Sequence, residues 1–375
     1  MQDSRVLLTD GAMKHTLAAV RSLRKHGLQV TVTDDSYLAQ SFYSRHCHDR
    51  ILTPRGLSPE EYVRQLRSIL KKEPHDALLP ISWYACYYVS KYRHFLENLV
   101  SLALPDFESM EIAANKDRTL EFAKSHGINV PTTIPLKSPE DLHRATNEIG
   151  YPLVVKGSTE GGSVRYIHNF RDLERAYLQL KNDRPIAQKY IEGDGCGFYA
   201  AYDGGECVAR FMHLRVREYP VNGGPSTAAK SFYSPELARQ GKKLLDALKW
   251  HGVAMVEFKR SAKDGKFYLM EINPKFWGSL DLSIRAGMDF PFIAYNIAIG
   301  KGSEVVQKSY RRDAYFRWPF PGELLHALET RNFSGFISDF FRCKYADDVQ
   351  LSDPAPLVLQ LISTFRKVRS RTVGQ

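Results

Sequence analysis

Cysteine is scarce in this chain, five in 375 residues, and no two stand in a Cys-x-x-Cys pair. The five, Cys47, Cys86, Cys196, Cys207 and Cys343, are also odd in number, which excludes a complete disulfide framework and points to a reducing compartment. No apolar run approaches the roughly 18 residues that a membrane-crossing helix needs. The opening Met1-Gln2-Asp3-Ser4-Arg5 leads into only a short apolar stretch, so the expectation is a cytoplasmic protein without a signal peptide or an integral membrane segment. The GxxxxGK[ST] phosphate loop is missing, and so is a GxGxxG after the first apolar run, where Thr9-Asp10-Gly11-Ala12-Met13 stands instead. A nicotinamide role is therefore unsupported, and that first turn reads as scaffold. Zinc-finger spacing, aromatic-basic RNA motifs, internal repeats and low-complexity tracts are absent too, and nucleic acid is not the expected partner.

What is present is ordinary for a globular enzyme: 43% apolar and 25% charged residues, with length enough for two or three subdomains. The balance of 52 basic against 42 acidic residues leaves +10, scattered along the chain. It suits an anionic partner such as a phosphorylated substrate, or simply a solvated basic surface.

Hydrophobic periodicity sets the order of elements. A strand at 5–9, a helix at 13–26 closed by Gly27, a strand at 29–33, a helix at 60–72, a strand at 77–81 and a helix at 84–99 make residues 1–110 a small doubly wound α/β unit. A helix follows at 117–126, then a strand at 151–156, the glycine-rich 157–163 and a strand at 164–168. Two strands around a glycine-rich tip make a hairpin. Runs at 185–191, 197–203, 206–217, 252–260 and 266–273 read as strands of an antiparallel sheet, with a helix at 235–250 among them. The fold class is thus α/β followed by α+β. Four units are expected: 1–110, 111–190, 191–300 and an extension at 301–375.

The chemistry concentrates on two strands. Glu271 and Asn273 share one face of theirs by period-two alternation. A two-residue Asp264-Gly265 turn would aim Glu257 at the wrong face, whereas a three-residue loop over Lys263 to Gly265 would set Glu257 opposite Glu271 and Met255 opposite Asn273. Two carboxylates and an amide oxygen then suit Mg²⁺, with Mn²⁺ as its substitute. Standing alone, the same face reads first as a solvated hairpin, and it is the rest of the sequence that turns it toward a metal site. Lys156 ends an apolar strand just before the glycine-rich loop, where its ammonium could meet phosphates covered by the N–H groups of Gly161, Gly162 and Ser163, or could only snorkel from a strand end. Lys116 opens a helix, where the dipole disfavours a cation, so it needs a partner; a phosphate or Asp117 would serve. The backbone from Gln188 through Lys189, Tyr190 and Ile191 could read an adenine edge, and Asp194 a ribose hydroxyl. Arg215 and Arg217, taken as sharing a strand face, could clamp a carboxylate, with Lys275 beyond them; a basic exposed face is the alternative.

In this order the elements resemble the ATP-grasp superfamily, its carboxylate-amine ligase and carbamoyl-phosphate-synthase-like branches. The resemblance runs from about Glu111 to Pro291. It rests on Asn115-Lys116-Asp117 with Gly127-Ile128-Asn129-Val130-Pro131-Thr132, on Pro152-Leu153-Val154-Val155-Lys156-Gly157, on Gln188 to Ile191, and on Glu257, Glu271 and Asn273-Pro274-Lys275-Phe276-Trp277-Gly278-Ser279. The resemblance implies ATP contacts at Lys116 and Lys156, a phosphate-covering loop at 157–163, adenine at 188–191, and ATP held between two lobes. The chain departs from the pattern at Lys275, where arginine is commoner, at Gln188, where an acid is frequent, and at Gly195, a common position for the ribose acid. The implied reaction joins a small-molecule carboxylate to an amine through an acyl phosphate, with ATP and Mg²⁺ consumed or bound; a homodimer is compatible. The rival readings are a bicarbonate-using carboxylase or carbamoyl-phosphate-type enzyme and a non-catalytic ATP-binding protein.

Overall fold

Short runs of leucine and β-branched residues build the first sheet. Strands β1 (Arg5–Leu8), β2 (Gln29–Asp34), β3 (Asp49–Leu52), β4 (Ala77–Leu79) and β5 (Ser101–Leu102) pair in parallel in the order β3-β2-β1-β4-β5. Both faces are covered, as parallel sheets require. Leu7 and Leu78 pack on Val63, Leu66 and Leu70 of the helix Pro59–Lys72. Val6, Leu8, Val30 and Val32 share a core with Leu23 of the helix Lys14–Lys25 and with Phe290 and Ile293 far along the chain. The computed structural model describes residues 4–158, 164–221, 223–307, 309–341 and 345–373.

Two strands of this sheet escape the periodicity. β3 presents Asp49 and Arg50 to solvent and β5 is two residues long, so neither carries an apolar pattern. The helix expected through Leu99 stops at Lys91 (Trp83–Lys91), and a 3₁₀ turn, Arg93–Phe95, follows.

Strands β6 (Thr133–Pro135), β7 (Leu153–Lys156), β8 (Val164–Ile167) and β9 (Ile186–Lys189) form an antiparallel sheet in the order β6-β9-β7-β8. Leu142 and Ala145 of the helix Pro139–Ile149, with Leu173 and Ala176 of the helix Phe170–Leu180, cover one side of it. β7 and β8 pair as the expected hairpin, Lys156 opposite Val164. Most of its tip, including Gly161, Gly162 and Ser163, lies outside the described residues.

The third sheet carries β10 (Gly193–Asp203), β11 (Glu206–Glu218), β12 (Ser226–Ser231), β13 (Gly252–Ser261), β14 (Phe267–Asn273), β15 (Tyr315–Arg317) and β16 (Tyr345–Asp347), in the order β14-β13-β10-β11-β12-β15-β16. It is antiparallel except at β15-β16. One face packs on the helix Pro235–Ala247 through Phe198, Val256 and Leu244; the other joins the core that underlies the parallel sheet, through Tyr199, Phe211 and Trp277.

The last segment folds back on the first. Arg21, buried in the first helix, pairs with Asp353 at 2.9 Å and donates to the Asp348 carbonyl at 3.1 Å. Gln360 donates to Gln40 at 2.9 Å. Among the described residues no helix is long and apolar enough to cross a membrane.

Candidate active site

The hairpin β13-β14 sets the site. Glu257 stands opposite Glu271 and Met255 opposite Asn273, the register that brings two carboxylates and an amide to one face. The route to it differs from the three-residue loop expected at Lys263 to Gly265. The strands close at Ser261 and Lys266, whose N–H···O bond is 2.9 Å, around a longer loop at 262–265 with Gly265 at φ +71. That closure alone would leave the carboxylates out of step. A bulge corrects it: Phe258 faces Leu269 and Glu257 faces Glu271, so Met270 is the extra residue and turns into the cleft.

Four cations meet this face. Lys116 Nζ lies 3.2 Å from Glu271 Oε2, and Arg215 Nη2 lies 2.7 Å from Glu257 Oε2. Lys156 is buried at the end of β7, and Lys275 lines the same space. The Lys116 backbone N–H donates to the Ser158 carbonyl at 2.9 Å, and the Ser158 N–H to the Asp183 carbonyl at 2.9 Å, which ties the helix Lys116–Ser125 to the root of the glycine-rich loop. Burial lowers Lys156 to about 8, against the pull of the Glu271 carboxylate. Burial would raise both glutamates. At Glu257 it prevails over Arg215, and the pKa is raised; at Glu271 the Lys116 ammonium, the Asn273 amide and Lys156 overcome it and hold the carboxyl below its usual range.

Asn273 Nδ2 donates to Glu271 Oε1 at 2.9 Å, which leaves its Oδ1 as the acceptor available to a cation. Among the described residues no group of three or more His, Cys, Asp or Glu side chains converges. Any cation here would use the carboxylate pair and this amide, a hard oxygen set that fits magnesium or manganese whose other ligands are phosphate or water.

The cleft, 490 Å³, takes in Lys116, Lys156, Gln188, Lys189, Tyr190 and Ile191 as well as the carboxylate face. Two expected members fall elsewhere. Arg217 does not share a face with Arg215, because β11 also bulges: Arg215 faces Ala229 and Arg217 faces Ala228, leaving Val216 over. Arg217 turns to the C-terminal segment and pairs with buried Glu323 at 2.7 Å and Asp339 at 2.8 Å. Asp194 alternates away from the cleft that Gly193 and Gly195 line, and pairs at the surface with Arg260 at 2.6 Å. Gly195 is required by Arg215, since a Cβ there would stand 2.8 Å from Arg215 Cδ.

β9 is not an edge strand, so Gln188 and Lys189 have β6 and β7 on either side, and the Gln188 side chain donates to Thr133 Oγ1 at 3.0 Å. Backbone clear of the ladder begins at Tyr190; Ile191 O accepts from Lys259 Nζ at 3.1 Å. Sequence reasoning missed Glu218, 3.4 Å from Arg215, and Lys259, whose ammonium lies 5.2 Å from the Tyr190 ring centre. It also missed a buried chain, Tyr199 hydroxyl to His213 Nε2 at 2.5 Å and on to Ser279 Oγ at 2.6 Å. Lys259, two residues after Glu257, could have been found by extending the period-two count along β13; Glu218, an odd step from Arg215, faces the cleft only through the bulge in β11, and the His213 chain joins three separate segments and leaves no local signal.

The family model described as "ATP-grasp in the biosynthetic pathway with Ter operon" matches residues 212–317. Acetyl-CoA carboxylase 1 of Oryza sativa subsp. japonica is 25% identical over 185 residues, 42% of this chain and 8% of that protein's length. The biotin carboxylase domain of Hydrogenobacter thermophilus 2-oxoglutarate carboxylase, solved with MgADP, ADP and bicarbonate, superposes with a TM-score of 0.67 at 19% identity, covering 83% of this chain and 73% of that one. The L-amino acid ligase of Bacillus licheniformis superposes with a TM-score of 0.66 at 16% identity, covering 84% and 79%. The chain thus has the fold of the ATP-grasp enzymes, with the carboxylate hairpin and the two lysines in the order expected of it.

Proposed function

We propose that the protein is an ATP-dependent ligase that activates a small carboxylic acid as an acyl phosphate and transfers the acyl group to an amine, releasing ADP and phosphate. The observation that carries this reading is Glu257 opposite Glu271, each tied to a cation, Arg215 and Lys116, that a bound polyphosphate and acid could engage instead. Glu257, Glu271 and Asn273 would hold magnesium, or manganese, which when bound offsets the charge of the β- and γ-phosphates.

Lys116 and Lys156 bind the phosphates. A phosphate beside Lys156 favours its charged form against the burial that lowers it. Tyr190 and Ile191 offer backbone to the adenine edge. Arg215, beside Glu218 and the Gly224 carbonyl, orients the acid's carboxylate. A carboxylate oxygen attacks the γ-phosphorus, the bond to the β,γ-bridging oxygen breaks, and ADP leaves with that electron pair. The amine nitrogen then attacks the acyl carbon, phosphate departs with the C–O bonding pair, and the surplus proton passes to solvent. The loop at 157–163 would shield the acyl phosphate from water. Arg217 and Asp194 have no part in this scheme.

The test is phosphate release from MgATP with pools of acids and amines. Release that needs both an acid and an amine, and is abolished in Glu271→Gln, supports the ligase. Release driven by bicarbonate alone would replace it with the carboxylase reading. Nucleotide binding without release under any pool would leave a non-catalytic ATP-binding protein.

A further inference from the structure

A second cavity, 570 Å³, lies beside the cleft, and Pro225 and Ser226 line both. Segments far apart in sequence build it: the first βα turn with Ala12 and Lys14, Leu38 and Gln40 after β2, the β11–β12 connection with the start of β12, and the C-terminal segment that folds back over them. Its wall is mostly apolar, with Leu38, Trp318, Phe320, Pro321, Leu325 and Leu359. Most of its polar groups are engaged within the wall. Gln360 donates to Gln40 at 2.9 Å, and Thr227 donates to Glu323 at 2.8 Å.

Lys14 is held less tightly. Its ammonium sits 4.2 Å from the centre of the Trp318 ring; Asp348 and Asp281 are near enough to favour its charged form, but neither is among the ion pairs of the described residues. The Trp318 indole N–H is itself directed to Asp281 at 3.1 Å. A Cβ built on Gly278, which lines the nucleotide cleft, would stand 3.8 Å from Lys14 Nζ. The ammonium therefore stands in the partition between the two spaces, with an apolar chamber on one side and the carboxylate-and-lysine cleft on the other. A largely apolar pocket with one convergent charge selects an apolar body bearing one group of opposite charge.

We propose that this cavity holds the apolar body of the carboxylic acid that the protein activates, with Lys14 at the junction drawing the acid's carboxylate out of the chamber toward Arg215 in the nucleotide cleft. The assignment rests on the ligase reading and narrows it, because bicarbonate and acetate have no body to fill the chamber. It also gives residues 301–375 a role, since they supply much of the wall, and it makes the first βα turn part of a binding site where the sequence suggests scaffold only.

The experiment uses the full chain with Mg²⁺ and a non-hydrolysable ATP analogue, titrated calorimetrically with acetate, hexanoate, phenylacetate and indole-3-acetate. At least one larger acid should bind about tenfold or more tighter than acetate. Leu359→Trp, which fills the chamber, should weaken that acid about tenfold with nucleotide affinity unchanged; Leu38→Trp at the exposed rim is the second filling variant should the first fold poorly. Lys14→Met should weaken every acid, with Lys14→Arg restoring part of the loss. Equal binding of all four acids, binding of none while nucleotide binds, or indifference to both filling variants overturns the assignment. Phosphate release separates this from the ligase reading. Acids turned over with KM values untouched by Leu359→Trp sink the cavity and spare the ligase; acids that bind in a Leu359→Trp-sensitive way yet never release phosphate do the reverse.

Discussion

Two strands of the large sheet carry a bulge at the site, with opposite results. On β14 the extra Met270 restores a register that the turn had displaced, and Glu271 and Asn273 arrive facing Glu257. On β11 the extra Val216 separates two arginines that period-two counting places together, sending Arg215 to the cleft and Arg217 to the C-terminal segment. One bulge assembles a constellation and the other divides one. Side-chain direction in a sheet is therefore a property of the ladder and not of spacing alone.

The comparison breaks most visibly at Arg217. Arg217→Met leaves Glu323 and Asp339 buried beside an apolar side chain, and should cost about 3–5 kcal/mol of stability, read as a lowered melting temperature, while kcat/KM per folded molecule stays near wild type. A loss of activity with stability intact would mean that Arg217 reaches the cleft after all. On the other bulge, Glu271→Gln should lower kcat for ATP-dependent phosphate release by a factor on the order of 100 or more, roughly 3 kcal/mol, with the melting temperature nearly kept. A variant retaining a third of the rate would remove Glu271 from the chemistry.

Acid should weaken the fold through two histidines outside the carboxylate face. Burial lowers His15 and His213 to about 3 each, and among the described residues neither ring nitrogen of His15 has a hydrogen-bond partner. Their folded pKa values lie below the unfolded one, so the unfolded chain takes up protons that the native state refuses. Stability should fall as pH drops below about 6.5, by up to roughly 2 kcal/mol per histidine at pH 5. Melting curves of His15→Gln should show a shallower fall over that interval; an unchanged slope would refute the His15 share. The smallest effect belongs to Asp194→Asn, which breaks an exposed pair with Arg260: under about 1 kcal/mol in stability, and no change in KM for ATP. A several-fold rise in that KM would return Asp194 to the nucleotide.

Much of this was legible from residue order. The apolar runs of β1, β2 and β4 and the hairpin after Lys156 follow from periodicity and turn residues acting within about 20 residues of one another, whereas the partners of Glu257 were reached through the Met270 bulge, which no turn residue signals. β3 and β5 were not legible, because a four-residue strand with two exposed charged residues and a two-residue strand take their shape from neighbours. Lys259 sits where the same counting from Glu257 reaches, whereas Glu218 is brought round by the Val216 bulge and the Tyr199, His213 and Ser279 chain exists only where separate segments meet.

By itself, then, the sequence determined most of the strands, the helices between them and the alternation that sets Glu271 and Asn273 on one face, since each depends on local alternation and backbone preference. Tertiary structure alone decided how the register was reached, which of two arginines faces the cleft, and that the last segment closes over the first βα turn. Those outcomes hang on single-residue bulges and on contacts between positions more than 300 residues apart, such as Arg21 with Asp353, whose energies belong to the packed state and leave no pattern in the chain.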